Sequence, residues 1–300
     1  MTFLAFFLVF VSVFLHAGWN FLSKKQVPSL AFYSQAGMAA SLLSLPGFLF
    51  LGLRFSSLPG VFWPIWIGSL AFEFIYVYGL AHAYRRDDIC LVYPLARALP
   101  VLLTVFVTLA LGIGVSTGGT ALAGMVILSL GCLLLPIRSL RDFKMSAFRS
   151  GALKYILLAA VGTTGYTILD SAAIRLVRAN AGISAFSCSI SYLFMIETGL
   201  VVSLLTATAL NPAERAEFKK LFLKSATPAV SGIFSASAYV LILLAMGHVN
   251  NVSYIQAFRQ MSLPLGVLAG IFLLHERPGK PRLAGIALVI AGLVVTALGS

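Results

Sequence analysis

Charge is what this chain has least of: Asp, Glu, Lys and Arg make up 10% of its 300 residues, against 60% hydrophobic residues. A soluble domain ordinarily carries about 25% charged residues, so water is excluded as the surroundings of most of the chain. Cysteine is scarce as well, with three scattered positions, Cys90, Cys132 and Cys188. That excludes the paired spacings of metal or redox sites and leaves the three as small apolar packing groups. His275-Glu276 has no second histidine four residues from the first, so the ligand pair of an intramembrane metal protease is missing. No serine elbow or phosphate loop is present, and no metal or other cofactor is expected. The apolar runs lack the strict alternation of a membrane barrel. The first run has no basic start and no small-residue cleavage site before Lys24, so it is expected to stay as an anchor rather than be removed as a secretory signal.

What is there is apolar sequence in long pieces. Ten runs fit a bilayer core, which needs roughly 20 helical residues per crossing: 2–21, 31–53, 61–84, 89–112, 117–135, 151–176, 183–209, 226–247, 252–274 and 282–298. Backbone in lipid must satisfy its own hydrogen bonds, so all ten are expected to be helices. The break between the third and fourth runs rests on Arg85-Arg86-Asp87-Asp88, and that between the eighth and ninth on 248–251. Connections are short except 136–150 and 211–225, both basic and polar, and no room is left for a separate soluble domain.

Alternate connections carry the positive charge. Lys24, Lys25, Arg85, Arg86, Arg138, Arg141, Lys144, Arg149, Lys154, Arg215, Lys219, Lys220, Lys224, Arg277, Lys280 and Arg282 fall on one side of a ten-crossing chain. Arg54, Arg175 and Arg178 fall on the other, and Arg97 and Arg259 lie inside runs. The positive-inside rule then places the first side in the cytoplasm and both termini outside, in a multi-pass protein of the cell membrane. The net charge of +12 is spread over short loops with no nucleic-acid module, so the expected partner is the lipid headgroup surface.

One unit is written twice. Leu122-Ala123-Gly124 followed by Gly131 returns as Leu283-Ala284-Gly285 followed by Gly292, and Ala81 to Pro100 returns as Ala245 to Pro264 with the same spacing. The expected division is a five-helix unit over 1–136, a basic linker over 137–150 and a second five-helix unit over 151–300. Five is odd, so the second copy enters the membrane from the opposite side. Inverted copies of this kind form a cavity at their interface that opens to alternate sides.

His16-Ala17-Gly18-Trp19-Asn20 followed by Lys24, and Pro264 to Leu274 with Glu276-Arg277, Leu283-Ala284-Gly285 and Gly292, resemble the EamA-like ten-helix branch of the drug/metabolite transporter superfamily. The resemblance covers the whole chain and implies an all-α membrane carrier with two inverted five-helix repeats. It departs at Gly112, which stands where the first copy should match Glu276. Eukaryotic members are expected to keep both termini in the cytoplasm, opposite to the charge reading, and both orientations stand at this point.

A charged side chain at the bilayer centre costs about 2.5–3.5 kcal/mol on insertion scales, so it faces a cavity or a partner. Five such groups lie within the runs: Glu73, Arg97, Asp170, Glu197 and Arg259. Asp170 is expected to pair with Arg175. Arg97 and Arg259 sit just before Pro100 and Pro264 on counterpart helices, although Arg97 aligns with Met261 and Arg259 with Leu95. Proline kinks a helix and frees a carbonyl, and guanidinium forks suit carboxylate or phosphate, so the two arginines are expected to bind an anionic group on a solute or to pair with Glu73 or Glu197. Either glutamate is equally a proton-coupling group or a permanently paired acid. His16 is a cavity residue or a packing group. Trp19 and Tyr166 occupy matching places after Gly18 and Gly165, as cavity walls or interface anchors. Asn20, Tyr76, Tyr78, Tyr93, Tyr239, Tyr254, Gln256 and Gln260 add hydrogen-bonding groups. The glycine pairs Gly124/Gly131, Gly285/Gly292 and Gly266/Gly270 each fall on one helix face and permit close helix approach, within the chain or between two copies in a homodimer.

Three classes of function fit. The leading one is a secondary carrier for a small organic solute such as an amino acid or related metabolite, exporting in preference to importing and driven by a solute or ion gradient. The others are a membrane-embedded enzyme, for which no catalytic constellation is found, and a structural or receptor-like bundle, which needs neither repeats nor cavity arginines.

Overall fold

A computed structural model describes residues 2–23, 29–86, 89–114, 117–135, 137, 151–273 and 279–299. They form α1 (Phe3–Ser23), α2 (Leu30–Phe50), α3 (Phe62–Tyr84), α4 (Ile89–Ala110), α5 (Gly119–Leu134), α6 (Leu153–Asn180), α7 (Ala185–Leu210), α8 (Pro212–Lys224), α9 (Thr227–Met246), α10 (Val252–Phe258), α11 (Ser262–Leu273) and α12 (Lys280–Leu298). No strand occurs among the described residues. By length and composition α3, α6, α7, α9 and α12 can each cross a membrane, and Phe3–Trp19, Leu95–Ala110 and Gly119–Leu134 are shorter apolar pieces. Large apolar side chains such as Phe7, Phe14, Ile67, Phe106, Leu130, Val202 and Val294 point outward from these helices, as lipid permits and water does not. The chain is a helical membrane protein.

Helix starts follow local chemistry. Ser29 accepts from the Phe32 N–H at 3.1 Å at the start of α2, and Ser184 from the Ser187 N–H at 3.1 Å at the start of α7, each satisfying a donor that the helix itself leaves open. The 211–225 stretch, expected as a connection, is mostly helix: Asn211 caps α8 by accepting from the Ala213 N–H at 3.0 Å, with Pro212 in the first turn. Leu221 and Glu214 of α8 are buried, whereas Arg215, Lys219, Lys220 and Lys224 are exposed. Gly112, with φ of 63°, ends the turn after α4 in the left-handed region that glycine tolerates.

The ninth run is broken where its proline predicts. Three residues of 3₁₀ turn, Arg259–Met261, separate α10 from α11, and Pro264 follows. The Gln256 carbonyl accepts from Gln260 Nε2 at 3.0 Å and the Arg259 carbonyl from Ser262 Oγ at 3.0 Å, so backbone groups released by the break are re-satisfied. Pro100 differs: α4 runs through it without interruption.

Helix pairing is close. α3 packs on α6 and α1 on α9; α2 packs on α7 and on α9; α3 touches α7; α5 lies along α12; α4 packs on α6, and α1 on α10 and α11. This set of pairings is unchanged when α1, α2, α3, α4 and α5 are exchanged for α6, α7, α9, α10–α11 and α12. Glycines set the α5–α12 contact: a Cβ at Gly124 would lie 2.8 Å from the Gly292 carbonyl oxygen and one at Gly131 2.9 Å from that of Gly285. Those four glycines therefore join helices within one chain. Gly266 and Gly270 lie outside the residues whose side-chain surroundings are described.

The loops gather at two ends. At one, Glu214 accepts from the Ala31 N–H at 3.0 Å and is ion-paired with Arg85, and Arg282 Nε donates to the Leu135 carbonyl at 3.1 Å. Arg86, Lys154 and Lys280 belong to the same end, which is called the basic end below; Lys24, Lys25, Arg138, Arg141, Lys144, Arg149 and Arg277 of that set lie outside the described residues. At the far end Thr2 Oγ1 donates to the His248 carbonyl at 3.3 Å and Tyr254 OH to the Gly299 carbonyl at 3.3 Å. Arg178, near the far end of α6, donates to the Leu243 and Leu244 carbonyls at 3.3 and 3.0 Å and so caps α9.

Candidate functional site

A cavity of about 110 Å³ lies between α1, α2, α3, α6, α7 and α9, with Arg259 of the helix break reaching its wall. That volume takes several water molecules, at roughly 10–15 Å³ each on this measure, or a small organic solute. Both halves of the chain supply its walls.

On α1, His16 and Trp19 are one turn apart and both line the cavity. Trp19 Nε1–H donates to His16 Nδ1 at 2.9 Å, which fixes the imidazole's accepting nitrogen. Tyr166, at the matching place on α6, also lines it, with its ring 5.7 Å from that of Tyr76 and 6.2 Å from that of Tyr239. The glycine before each aromatic has the same task in both halves. A Cβ at Gly18 would meet the Phe234 ring of α9 at 3.0 Å, and one at Gly165 would run into the Phe72 ring of α3.

Two carboxyl groups and one guanidinium face this space together with His16: Glu73 from α3, Glu197 from α7 and Arg259. Glu73 and Arg259 are 8% and 7% exposed. Glu73 Oε2 and Arg259 Nη1 have no hydrogen-bond partner among the described residues. The ion pairs among those residues are Arg85 with Glu214 and Lys220 with Glu217, so the expected pairing of Arg259 with a glutamate is absent there. Its guanidinium instead sits 5.8 Å from the centre of the Tyr239 ring, within reach of a cation–π interaction. Leaving a buried ion unsatisfied costs several kcal/mol, so these groups call for water or a ligand in the cavity. Tyr33 OH and Ser231 Oγ, also in the lining, likewise have no hydrogen-bond partner among the described residues.

The remaining expected site residues go elsewhere. Arg97 is buried and donates Nη2 to Ser262 Oγ at 3.3 Å beside the helix break, outside the cavity lining. Gln256 is fully buried in α10, also outside the lining, with neither side-chain Nε2 nor Oε1 hydrogen-bonded among the described residues. Tyr78 stacks on His82 at 4.0 Å. The side chains of Asn20 and Tyr93 lie outside the described residues.

Asp170 requires a correction. Its expected partner Arg175 is exposed, because residues five apart on a helix are separated by roughly 140° and do not face each other. Asp170 is fully buried and accepts from three hydroxyls: Ser69 of α3, Tyr192 of α7 at 2.6 Å, and Tyr239 of α9. Ser69 and Tyr192 are not among the expected site residues. Ser69 was within reach of sequence reasoning, since it stands four residues before Glu73 on the same face of α3; Tyr192 carries no comparable signal. Among the described residues no three His, Cys, Asp or Glu side chains gather as a metal-ligand set.

No family model matches the chain, and no curated protein does. Its fold is similar to that of a protein of known crystal structure, with a TM-score of 0.67 over 98% of this chain and 97% of the other, at 14% sequence identity. At that identity the likeness shows a shared fold and nothing about activity.

Proposed function

We propose that this chain is a secondary carrier of the EamA-like type, with ten crossings in two inverted five-helix repeats, moving a small organic solute across the cell membrane by alternating access. The observation that carries this reading is the cavity shared by both halves, beside which Glu73 Oε2 and Arg259 Nη1 are buried with no hydrogen-bond partner among the described residues. The exchange-invariant helix pairing supports a pseudo-two-fold axis between the repeats. The gathering of Arg85, Arg282 and α8 at one end supports a cytoplasmic basic end and outward termini.

The chamber carries charge of both signs, so its solute has both signs too. Arg259 suits a carboxylate, Glu73 or Glu197 an ammonium group, and the rings of Trp19, Tyr76, Tyr166 and Tyr239 an apolar body. An amino acid or related zwitterionic metabolite fits this better than a simple anion. No nucleotide-binding motif is present, which leaves a solute or ion gradient as the driving force, and export remains the favoured direction.

Purified protein is expected to be stabilised against heat by zwitterionic amino acids, since a ligand at a hundred times its Kd adds about 2.7 kcal/mol. Flux of the stabilising solute in proteoliposomes is expected to fall roughly 10- to 100-fold in Arg259→Ala, the loss of one charge-assisted hydrogen bond. Stabilisation by cations alone, or undiminished flux in Arg259→Ala, overturns the assignment.

A further inference from the structure

We propose that the hydrogen bond between Tyr239 and Asp170 is the latch that closes the far end of the chamber, with Ser69 and Tyr192 as positioning residues that hold the Asp170 carboxylate in place. The inference rests on the carrier reading above and adds which bond must break for the chamber to face the opposite side.

The latch lies on the far side of the cavity. α3 and α7 both start at the far end, and the chamber is lined on α3 by Glu73, Tyr76 and Val77 and on α7 by Glu197, Leu200 and Leu204. Ser69 and Tyr192 come earlier on the same helices, between the chamber and the far-end loops. On α2 and α9, which start at the basic end, the lining begins at Phe32 and Ser231, close to their first residues. The chamber thus lies mainly in the basic half of the bundle, extending toward the far end along α9 as far as Ile242, and the Asp170 cluster stands where its floor would open.

The latch also joins two groups of helices that meet elsewhere through α4, whose Arg97 donates to Ser262 of α11 and whose Thr108 hydroxyl meets that of Ser253 in α10. α3, α4 and α6 pack together as one group, and α1, α9, α10 and α11 as another. Ser69 and Asp170 belong to the first group and Tyr239 to the second, so the Tyr239–Asp170 bond crosses from one to the other. A hydroxyl donating to a fully buried carboxylate is among the stronger hydrogen bonds. The Asp170 cluster has no copy at the basic end: the repeat alignment that matches Trp19 with Tyr166 places Ser23 opposite Asp170. Tyr239 has a second face as well. Its ring lines the chamber under the Arg259 guanidinium, so a solute that draws Arg259 toward its own carboxylate disturbs the residue that holds the latch.

The test reads sidedness rather than flux. Ser235, a chamber residue on α9, is changed to cysteine with Cys90, Cys132 and Cys188 replaced by alanine, and its reaction with a membrane-impermeant maleimide is followed separately from each side of the membrane. Tyr239→Phe keeps the ring and removes the hydroxyl. It is expected to speed labelling from the far end by roughly tenfold or more, the population shift that loss of one hydrogen bond to a charged group produces. Asp170→Asn, nearly identical in shape, is expected to act in the same direction and serves if Tyr239→Phe does not fold. Far-end labelling at the parent rate in a folded variant overturns the latch, even where solute flux persists. Faster far-end labelling in a protein that moves no solute supports the latch and overturns the carrier.

Discussion

Glu214 is 1% exposed and both of its carboxylate oxygens are engaged, one by Arg85 and the other by the Ala31 N–H at the start of α2. A carboxylate at a helix N-terminus satisfies open donors and meets the positive end of the helix dipole, and here it also ties α8 to the end of α3. Glu214→Ala is expected to cost about 1–2 kcal/mol, read as a lower unfolding temperature in detergent, while Arg215→Ala on the exposed face leaves that temperature unchanged. Equal shifts in the two variants would show that the tie contributes nothing. At this scale the sequence was partly legible. Scarcity in lipid marked Glu73, Asp170, Glu197, Arg97 and Arg259, and all but Glu197 are buried. What scarcity does not carry is direction: Arg97 turns to Ser262 and Asp170 to three hydroxyls, because a side chain's partner is decided by helix rotation and crossing, neither of which one sequence states.

Among the elements, α5 and α12 make a close seam, and its tolerance is set by backbone rather than side chains. A Cβ at Gly131 falls 2.6 Å from the Val289 nitrogen, and one at Gly292 falls 2.7 Å from the Gly124 carbonyl oxygen. Backbone cannot swing aside as a flexible side chain does. Gly131→Val or Gly292→Val is therefore expected to destabilise by about 1–3 kcal/mol or more, whereas Gly119→Ala, with nothing within 4 Å of the added atom, leaves the melting curve in place. Indifference at all three positions would dissolve the seam as a source of stability. The repeated Leu-Ala-Gly made this contact legible in advance, and the structure decides that it forms within the chain. The helical character of the apolar runs was legible for the same reason that lipid simplifies folding: length and hydropathy leave few alternatives to a helix. α8 escaped because it is polar by composition, and its signature, Asn211-Pro212 with Glu214 three residues beyond the cap, lies in capping chemistry rather than in hydropathy. Pro100 and Pro264 are alike in sequence yet only the second sits at a break, since a proline removes one hydrogen bond and the neighbouring helices decide whether the rod yields there.

For the whole molecule, orientation is the property that loop charge addresses most directly. An epitope tag at the N-terminus is expected to be reached by antibody on intact cells, and one inserted within 138–150 only after permeabilisation. The reverse pattern would place the basic end outside and overturn the charge argument. Matched glycines and prolines are the sequence's signal for two related halves. The main helix pairings survive exchange of the two halves, whereas the contacts of α6 with α7, α9 and α10 are not matched to the same extent by α1 with α2, α3 and α4, and α8 has no partner in that exchange among the described residues. It packs on both α2 and α7 at the basic end. At their other ends those two helices meet through side chains, with Phe48 stacked on Phe194 at 4.6 Å. They are therefore clasped at the basic end by a third element and at the other end only by their own side chains, as the spring of a clothes peg grips its two arms on one side of the pivot.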